Sequence, residues 1–163
     1  MKSFYIASRL ENANQVQELS RQLKANNWTH TYDWTTHGSV QDKGQEVISR
    51  VAFNELTGVV TAETVIVLLP GGRGTHTELG AAIVAYAYAD KAATREIIIW
   101  AENEDLFLQD SRTCAFYWYP GVKRVICPFE ELAERLLTGC VDEIGGYLKW
   151  KSLKAVPSVN NRG

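Results

Sequence analysis

The sequence predicts a doubly wound α/β domain, and three observations carry that reading. Short β-branched runs alternate with amphipathic segments along the chain. The run at residues 64–69 (Thr-Val-Ile-Val-Leu-Leu) is apolar on both faces, as a parallel strand covered by helices must be. A glycine-rich break at 70–74 then leads directly into a helix of small residues. With 163 residues, 45% of them hydrophobic and 22% charged, the chain can build one sizeable core. We expect one domain over 1–150 and a loosely held tail at 151–163, where periodicity fades.

The elements follow in order. Ser3–Ala7 (Ser-Phe-Tyr-Ile-Ala) reads as an opening strand, not a signal peptide. Asn12, with Gln15 three residues on, has the pattern of a helix cap, and Val16, Leu19 and Leu23 continue at helical spacing until Asn26-Asn27. Residues 28–34 resume as an extended run. From Gln45 the positions Ile48, Val51, Ala52, Leu56 and Val59 repeat at helical spacing, giving a long helix to about Thr61. After the strand at 64–69, a helix is expected from Thr75, with Gly80, Ala81, Ala82 and Ala85 permitting close packing. Residues 96–100 and 122–126 supply two further strands, 129–137 a helix begun by Pro128, and 142–150 a last short helix. Five parallel strands with right-handed helical crossovers on both faces form a flavodoxin-like or Rossmann-like sheet. Ligands of such sheets sit beyond the carboxyl ends of the strands, here Ala7-Ser8-Arg9, Asp33-Trp34, Pro70 to Thr75 and Ala101-Glu102.

Composition excludes several classes. Seventeen basic residues stand against nineteen acidic ones with no basic stripe, which argues against a nucleic-acid polymer as partner. The apolar runs are about ten residues or shorter, half of what a membrane span needs. Cys114, Cys127 and Cys140 are odd in number and widely spaced, which suits a structural role in a reducing, cytoplasmic setting. No clustered ligands call for a metal or other cofactor.

The segment Pro70-Gly-Gly-Arg-Gly-Thr-His-Thr-Glu78 carries the strongest chemical signal. Glycines admit a ligand to the backbone, and a helix start offers unpaired N–H groups to an anion. The loop is neither a P-loop nor a dinucleotide fingerprint. Two readings of Thr75-x-x-Glu78 stand side by side: a capping box in which Glu78 only accepts a backbone amide, or a functional carboxylate.

Three pieces of the chain resemble the nucleoside 2-deoxyribosyltransferase family, in the same order over most of the first hundred residues. They are Phe4-Tyr5-Ile6-Ala7, like the family's first strand; Asn54-Glu55-Leu56-Thr57-Gly58-Val59, like its N-D-L-x-G-I segment; and Gly74-Thr75-His76-Thr77-Glu78-Leu79-Gly80-Ala81, like its G-T-x-x-E-[LI]-G-x-A motif. The resemblance implies a carboxylate nucleophile at Glu78, oriented by Tyr5, that forms a glycosyl-enzyme and passes the sugar of a nucleoside to a second, free base. A helix N-terminus would keep Glu78 ionised at neutral pH. Where the family often carries an aspartate in the loop, this chain has Arg73, and Glu55 is either a longer carboxylate in the site or a solvated helix residue. Asp33 is a base or sugar contact or a turn former; Trp34 is a stacking face or core packing.

A guanidinium at Arg73 beside the glycine loop Gly72-Arg73-Gly74 at a helix start is well matched to phosphate. Relatives of these transferases hydrolyse nucleoside 5'-monophosphates, and the resemblance implies phosphate contacts from Ser8, Arg9 and Thr75; the other reading of Arg9 and Arg73 is exposed loop charges. The family's oligomeric habit implies a homo-oligomer. Phe116-Tyr117-Trp118-Tyr119-Pro120, too apolar for a free loop, reads as a subunit interface first, with a base-binding wall and a lid on the core as the alternatives. His76, turned about 100° per residue from its helical neighbours, reads as a surface or interface histidine. The alternative outside catalysis is a module that binds nucleotides without turnover.

Overall fold

The computed structural model describes residues 1–89, 95–107 and 114–141. The expected helix at 142–150 and the tail at 151–163 lie outside the described residues. The elements are β1 (Ser3–Ala7), α1 (Ala13–Ala25), β2 (Thr29–His30), α2 (Gln45–Thr61), β3 (Thr64–Leu68), α3 (Arg73–Ala87), β4 (Glu96–Ala101), β5 (Val122–Ile126) and α4 (Phe129–Thr138), with single 3₁₀ turns between some of them. All five strands are parallel, in the order β2-β1-β3-β4-β5. This is the flavodoxin-type order, in which the chain reverses its direction of growth between β1 and β3. Helices α1 and α4 pack together, as do α2 and α3, so the sheet is covered on both faces.

The core follows from the strand sequences. Every residue of β3 is buried, and Phe4, Tyr5, Ile6 and Ala7 of β1 are fully so. Two tryptophans tie loops to strands: Trp34 Nε1 donates to the Ile6 carbonyl (2.8 Å) and Trp100 Nε1 to the Cys127 carbonyl (3.0 Å). Gly58 lets α2 lie against the sheet, since a Cβ there would fall 2.7 Å from Tyr32 Cβ and 3.0 Å from the Tyr5 ring. Cys127 is buried, Cys114 half-buried and Cys140 exposed, all as free thiols.

Four local expectations change. The extended run at 28–34 yields only a two-residue strand, because the Asp33 side chain accepts from Thr35 N–H (3.1 Å) and Thr35 Oγ1 (2.6 Å) and turns the chain into a 3₁₀ turn. Asn12 precedes α1 without capping it; its amide donates instead to Ser8 Oγ (2.8 Å) and the Pro70 carbonyl (3.3 Å). Helix α3 starts at Arg73, two residues before Thr75. With that earlier start, Thr75 Oγ1 accepts from Gly72 N–H (3.0 Å), and Glu78 sits more than a turn inside the helix, so the Thr75/Glu78 capping box does not form.

Candidate active site

The β1-α1 and β3-α3 loops meet beyond the carboxyl ends of the two strands that flank the topological reversal. Ser8 Oγ donates to the Leu68 carbonyl (2.9 Å) and accepts from Asn12, which stitches the loops together. Gly71 must be small here, because a Cβ would lie 2.9 Å from Thr75 Cγ2. Arg9 stands against this junction, half-buried and 3.9 Å from Glu11. Arg73 is exposed and forms no ion pair among the described residues, and Gly74 is exposed beside it. Thr75 is buried. The first three N–H groups of α3, on Arg73, Gly74 and Thr75, have no intrahelical acceptor.

Next to the loop, β1 and α3 bring Tyr5 and Glu78 together: the Tyr5 hydroxyl donates to Glu78 Oε1. Glu78 is 6% exposed and Tyr5 fully buried. Burial pushes the Glu78 carboxyl up to about 7, against the pull of the Tyr5 hydrogen bond and aided by the charge of Glu55. Burial thus works against ionisation of Glu78, and the helix start, more than a turn away, does not offset it. The Tyr5 phenol is pushed far above its usual range by burial and by Glu78, so it remains a donor.

Glu55 of α2 is the second carboxylate, and its charge acts on both Tyr5 and Glu78. It is half-buried, and burial raises its pKa, partly offset by His37. His37 was not signalled by the sequence. It leans toward Tyr32 (ring centroids 6.0 Å apart), and its Nε2 is buried without a hydrogen-bond partner. An isolated histidine in a loop has no periodic or motif signal; only the packing of α2 gives it a place. No ion pair to Glu55 or Glu78 forms among the described residues.

Other candidates are placed elsewhere. Trp34 is 4% exposed with its indole N–H committed to β1, which is the core-packing alternative. Asp33 is occupied by Thr35 and lies 3.8 Å from His30; no hydrogen bond or ion pair joins it to Tyr5 or Glu78. His76, expected at the surface or at an interface, is half-buried and bonded through both ring nitrogens. In the aromatic stretch Tyr117 is buried in the chain's own core, while Phe116 and Trp118 are exposed.

No protein-family model matches the chain, and no curated protein matches it in sequence. Solved structures do. The chain is similar to a CMP N-glycosidase, BcmB, of Clostridium botulinum at 15% identity and a TM-score of 0.54, over 83% of this chain and 97% of that one. It is also similar to a conserved protein of Enterococcus faecalis V583 at 18% identity and a TM-score of 0.52, over 85% of this chain and 99% of that one. At such identities the likeness shows the fold. It agrees with the five-stranded parallel sheet described above. No helix among the described residues is long and apolar enough to cross a membrane.

Proposed function

We propose that this protein is an N-glycosidic-bond enzyme that cleaves a nucleoside or deoxynucleoside through a covalent glycosyl-Glu78 intermediate and passes the sugar to another base. The observation that carries this reading is the buried Glu78 carboxyl hydrogen-bonded by Tyr5 beyond the strand ends, with no cation paired to it among the described residues. Such a carboxylate is weakly solvated and oriented, which suits attack on an anomeric carbon. In the first step a Glu78 oxygen bonds to C1' from the face opposite the base as the C1'–N bond breaks. The bonding pair leaves on the base nitrogen, which takes a proton from Glu55, the second carboxyl of the site, whose pKa burial raises. In the second step the nitrogen of a free base attacks C1' and displaces Glu78 while its N–H proton passes to the Glu55 carboxylate, with overall retention and both carboxyls restored. The loop at Gly72, Arg73, Gly74 and Thr75, with Ser8 and Arg9 beneath it, holds the sugar end, and neither a metal nor a cofactor has a part in the scheme.

A second reading, hydrolysis of a nucleoside 5'-monophosphate, is favoured by Arg73, exposed and in no ion pair among the described residues, at a helix start whose first N–H groups have no intrahelical acceptor. The CMP N-glycosidase of similar fold supports it. In that case water takes the place of the second base. We further propose that the protein acts in the cytoplasm as a homo-oligomer, supported by the apolar side chains exposed on α2, among them Phe53 at 70% and Leu56 at 41%.

Base release, followed by chromatography with deoxynucleosides, ribonucleosides and their 5'-monophosphates, each with and without a second base, tests these readings. A new nucleoside formed only with added base marks the transferase. Free base and sugar phosphate from a monophosphate alone mark the hydrolase. Binding with no release from any substrate would overturn both and leave a module that binds without turnover.

A further inference from the structure

Both backbone polar groups of Gly72 are taken by side chains of α3. Its N–H donates to Thr75 Oγ1 (3.0 Å), and its carbonyl accepts from His76 Nδ1 (2.6 Å) as well as from His76 N–H (3.2 Å). The other ring nitrogen, His76 Nε2, lies 2.8 Å from the Tyr117 hydroxyl, and the two rings stack with centroids 5.7 Å apart and planes inclined by 23°. A carbonyl oxygen only accepts, so Nδ1 must carry a proton, and in that tautomer Nε2 accepts a hydrogen bond from the Tyr117 hydroxyl. Burial holds the Tyr117 phenol up at about 12, so that proton stays on the phenol.

Tyr117 is itself anchored. It is 6% exposed, its ring meets Phe107 edge-on at 6.2 Å, and its carbonyl accepts from Arg124 of β5 (3.0 Å). A continuous path therefore runs from β5 through Arg124, Tyr117 and His76 to the carbonyl of Gly72. The chemistry proposed above uses neither His76 nor Tyr117, yet the path ends on the loop where the sugar or phosphate would lie.

We propose that His76 is a positioning residue: its imidazole, oriented by Tyr117, fixes the conformation of the 70–74 loop and thereby sets how tightly a ligand is held there. The proposal rests on the reading that this loop binds substrate. His76 acts through Gly72, so its loss weakens binding more than it slows the chemical step at Glu78.

Three variants test it. His76→Phe removes both bonds and keeps a ring that can stack; Tyr117→Phe removes only the Nε2 partner; His76→Asn can place an amide nitrogen near the position of Nδ1 and so restore the bond to Gly72. For base release from the best nucleoside or 5'-monophosphate substrate, His76→Phe should raise KM about tenfold with kcat within about threefold, and His76→Asn should recover most of that loss. An unchanged KM in His76→Phe overturns the proposal, as does a fall in kcat with KM unaltered. Amide hydrogen exchange supplies a reading independent of turnover. The amides of Gly72 and residue 76, both hydrogen-bonded in the wild type, should exchange faster in His76→Phe and Tyr117→Phe while β1 and β3 keep their protection, and unchanged exchange at both overturns the strut. If the wild-type protein releases no base, the enzymatic reading fails, and the exchange result still decides the role of His76.

Discussion

At the amino end of the sheet Glu96 takes hydrogen bonds from Lys2 and Lys123, each at 2.7 Å, whereas beyond the carboxyl ends Glu78 has, among the described residues, only the Tyr5 hydroxyl for a partner and a second carboxylate, Glu55, nearby. The two carboxyls respond in opposite directions. Burial raises Glu96 too, but the two lysines outweigh it and hold the group below its ordinary range, while Glu78 is pushed up to about 7. One end of the same strands neutralises its charge, and the other concentrates like charge in a buried place. The difference teaches that burial alone does not mark a site. What marks it is a buried ionisable group whose neutralising partner has been left out, a cost to folding that chemistry can offset.

The sharpest way to break the contrast is at Glu78 itself. Glu78→Gln should lower base release by about 10³-fold or more while leaving the protein folded, because the amide keeps the shape and the Tyr5 contact but cannot attack an anomeric carbon. Activity near wild type in that variant would remove Glu78 from the chemistry. A smaller loss, about 10- to 100-fold, is expected for Tyr5→Phe, with a diagnostic shift in pH dependence. The attacking form is the carboxylate, so kcat/KM in the wild type should rise with pH through about 7. The Tyr5 hydrogen bond favours that form; without it the rise must move to higher pH. A rise that stayed in place or moved lower would show that Tyr5 does not tune Glu78.

The two ends were not equally legible in the sequence. Helix α2 matches its expected bounds, Gln45–Thr61, because apolar residues recur there at helical spacing with charges between them. The buried run of β3 was equally plain. Strand β2 was overread: Thr31, Tyr32 and Trp34 favour strands, and nothing in a one-dimensional pattern says that Asp33 will turn back on Thr35. At the site, Thr75-x-x-Glu78 fits a capping box and a nucleophile equally well. Family resemblance named Glu78 and Tyr5; the two-residue shift of the helix start, caused by Thr75 capping Gly72, is a tertiary outcome that spacing could not supply. His37 and the His76–Tyr117 contact depend on residues far apart in sequence and left no mark in it.

Stability offers a third test, at intermediate scale. The Glu78 carboxyl titrates near 7 when folded and near 4.5 when unfolded, so the folded state holds the extra proton between those values. Stability contributed by this group therefore falls as pH rises from about 4.5 to 7, and its penalty is complete above 7. Glu78→Gln removes the penalty. The variant should gain roughly 1 to 3 kcal/mol over wild type at pH 8, shrinking toward zero near pH 4.5, by denaturant unfolding. His30 works in the opposite sense, since burial lowers it to about 4 despite Asp33, and its penalty appears as pH falls below 6.5. The wild-type curve blends the two, and subtracting the variant isolates Glu78. A variant less stable than wild type at pH 8 would show that the buried carboxylate is not a folding cost.

The smallest effect belongs to the amino end. Glu96 is partly exposed, with 29% of its side chain accessible, so its pairs with Lys2 and Lys123 are screened by solvent. Its lowered pKa makes its contribution present above the unfolded value and lost as pH falls through the folded one. Glu96→Gln should therefore cost below about 1 kcal/mol at pH 7, less still at high salt, with the difference closing in acid. Base release should be unchanged, because Glu96 stands at the opposite end of β4 from the loops that form the site. If Glu96→Gln cut turnover as Glu78→Gln does while the protein stayed folded, the division of labour between the two ends would be wrong, since a charge screened by two lysines would be reaching the chemistry across the full length of the sheet.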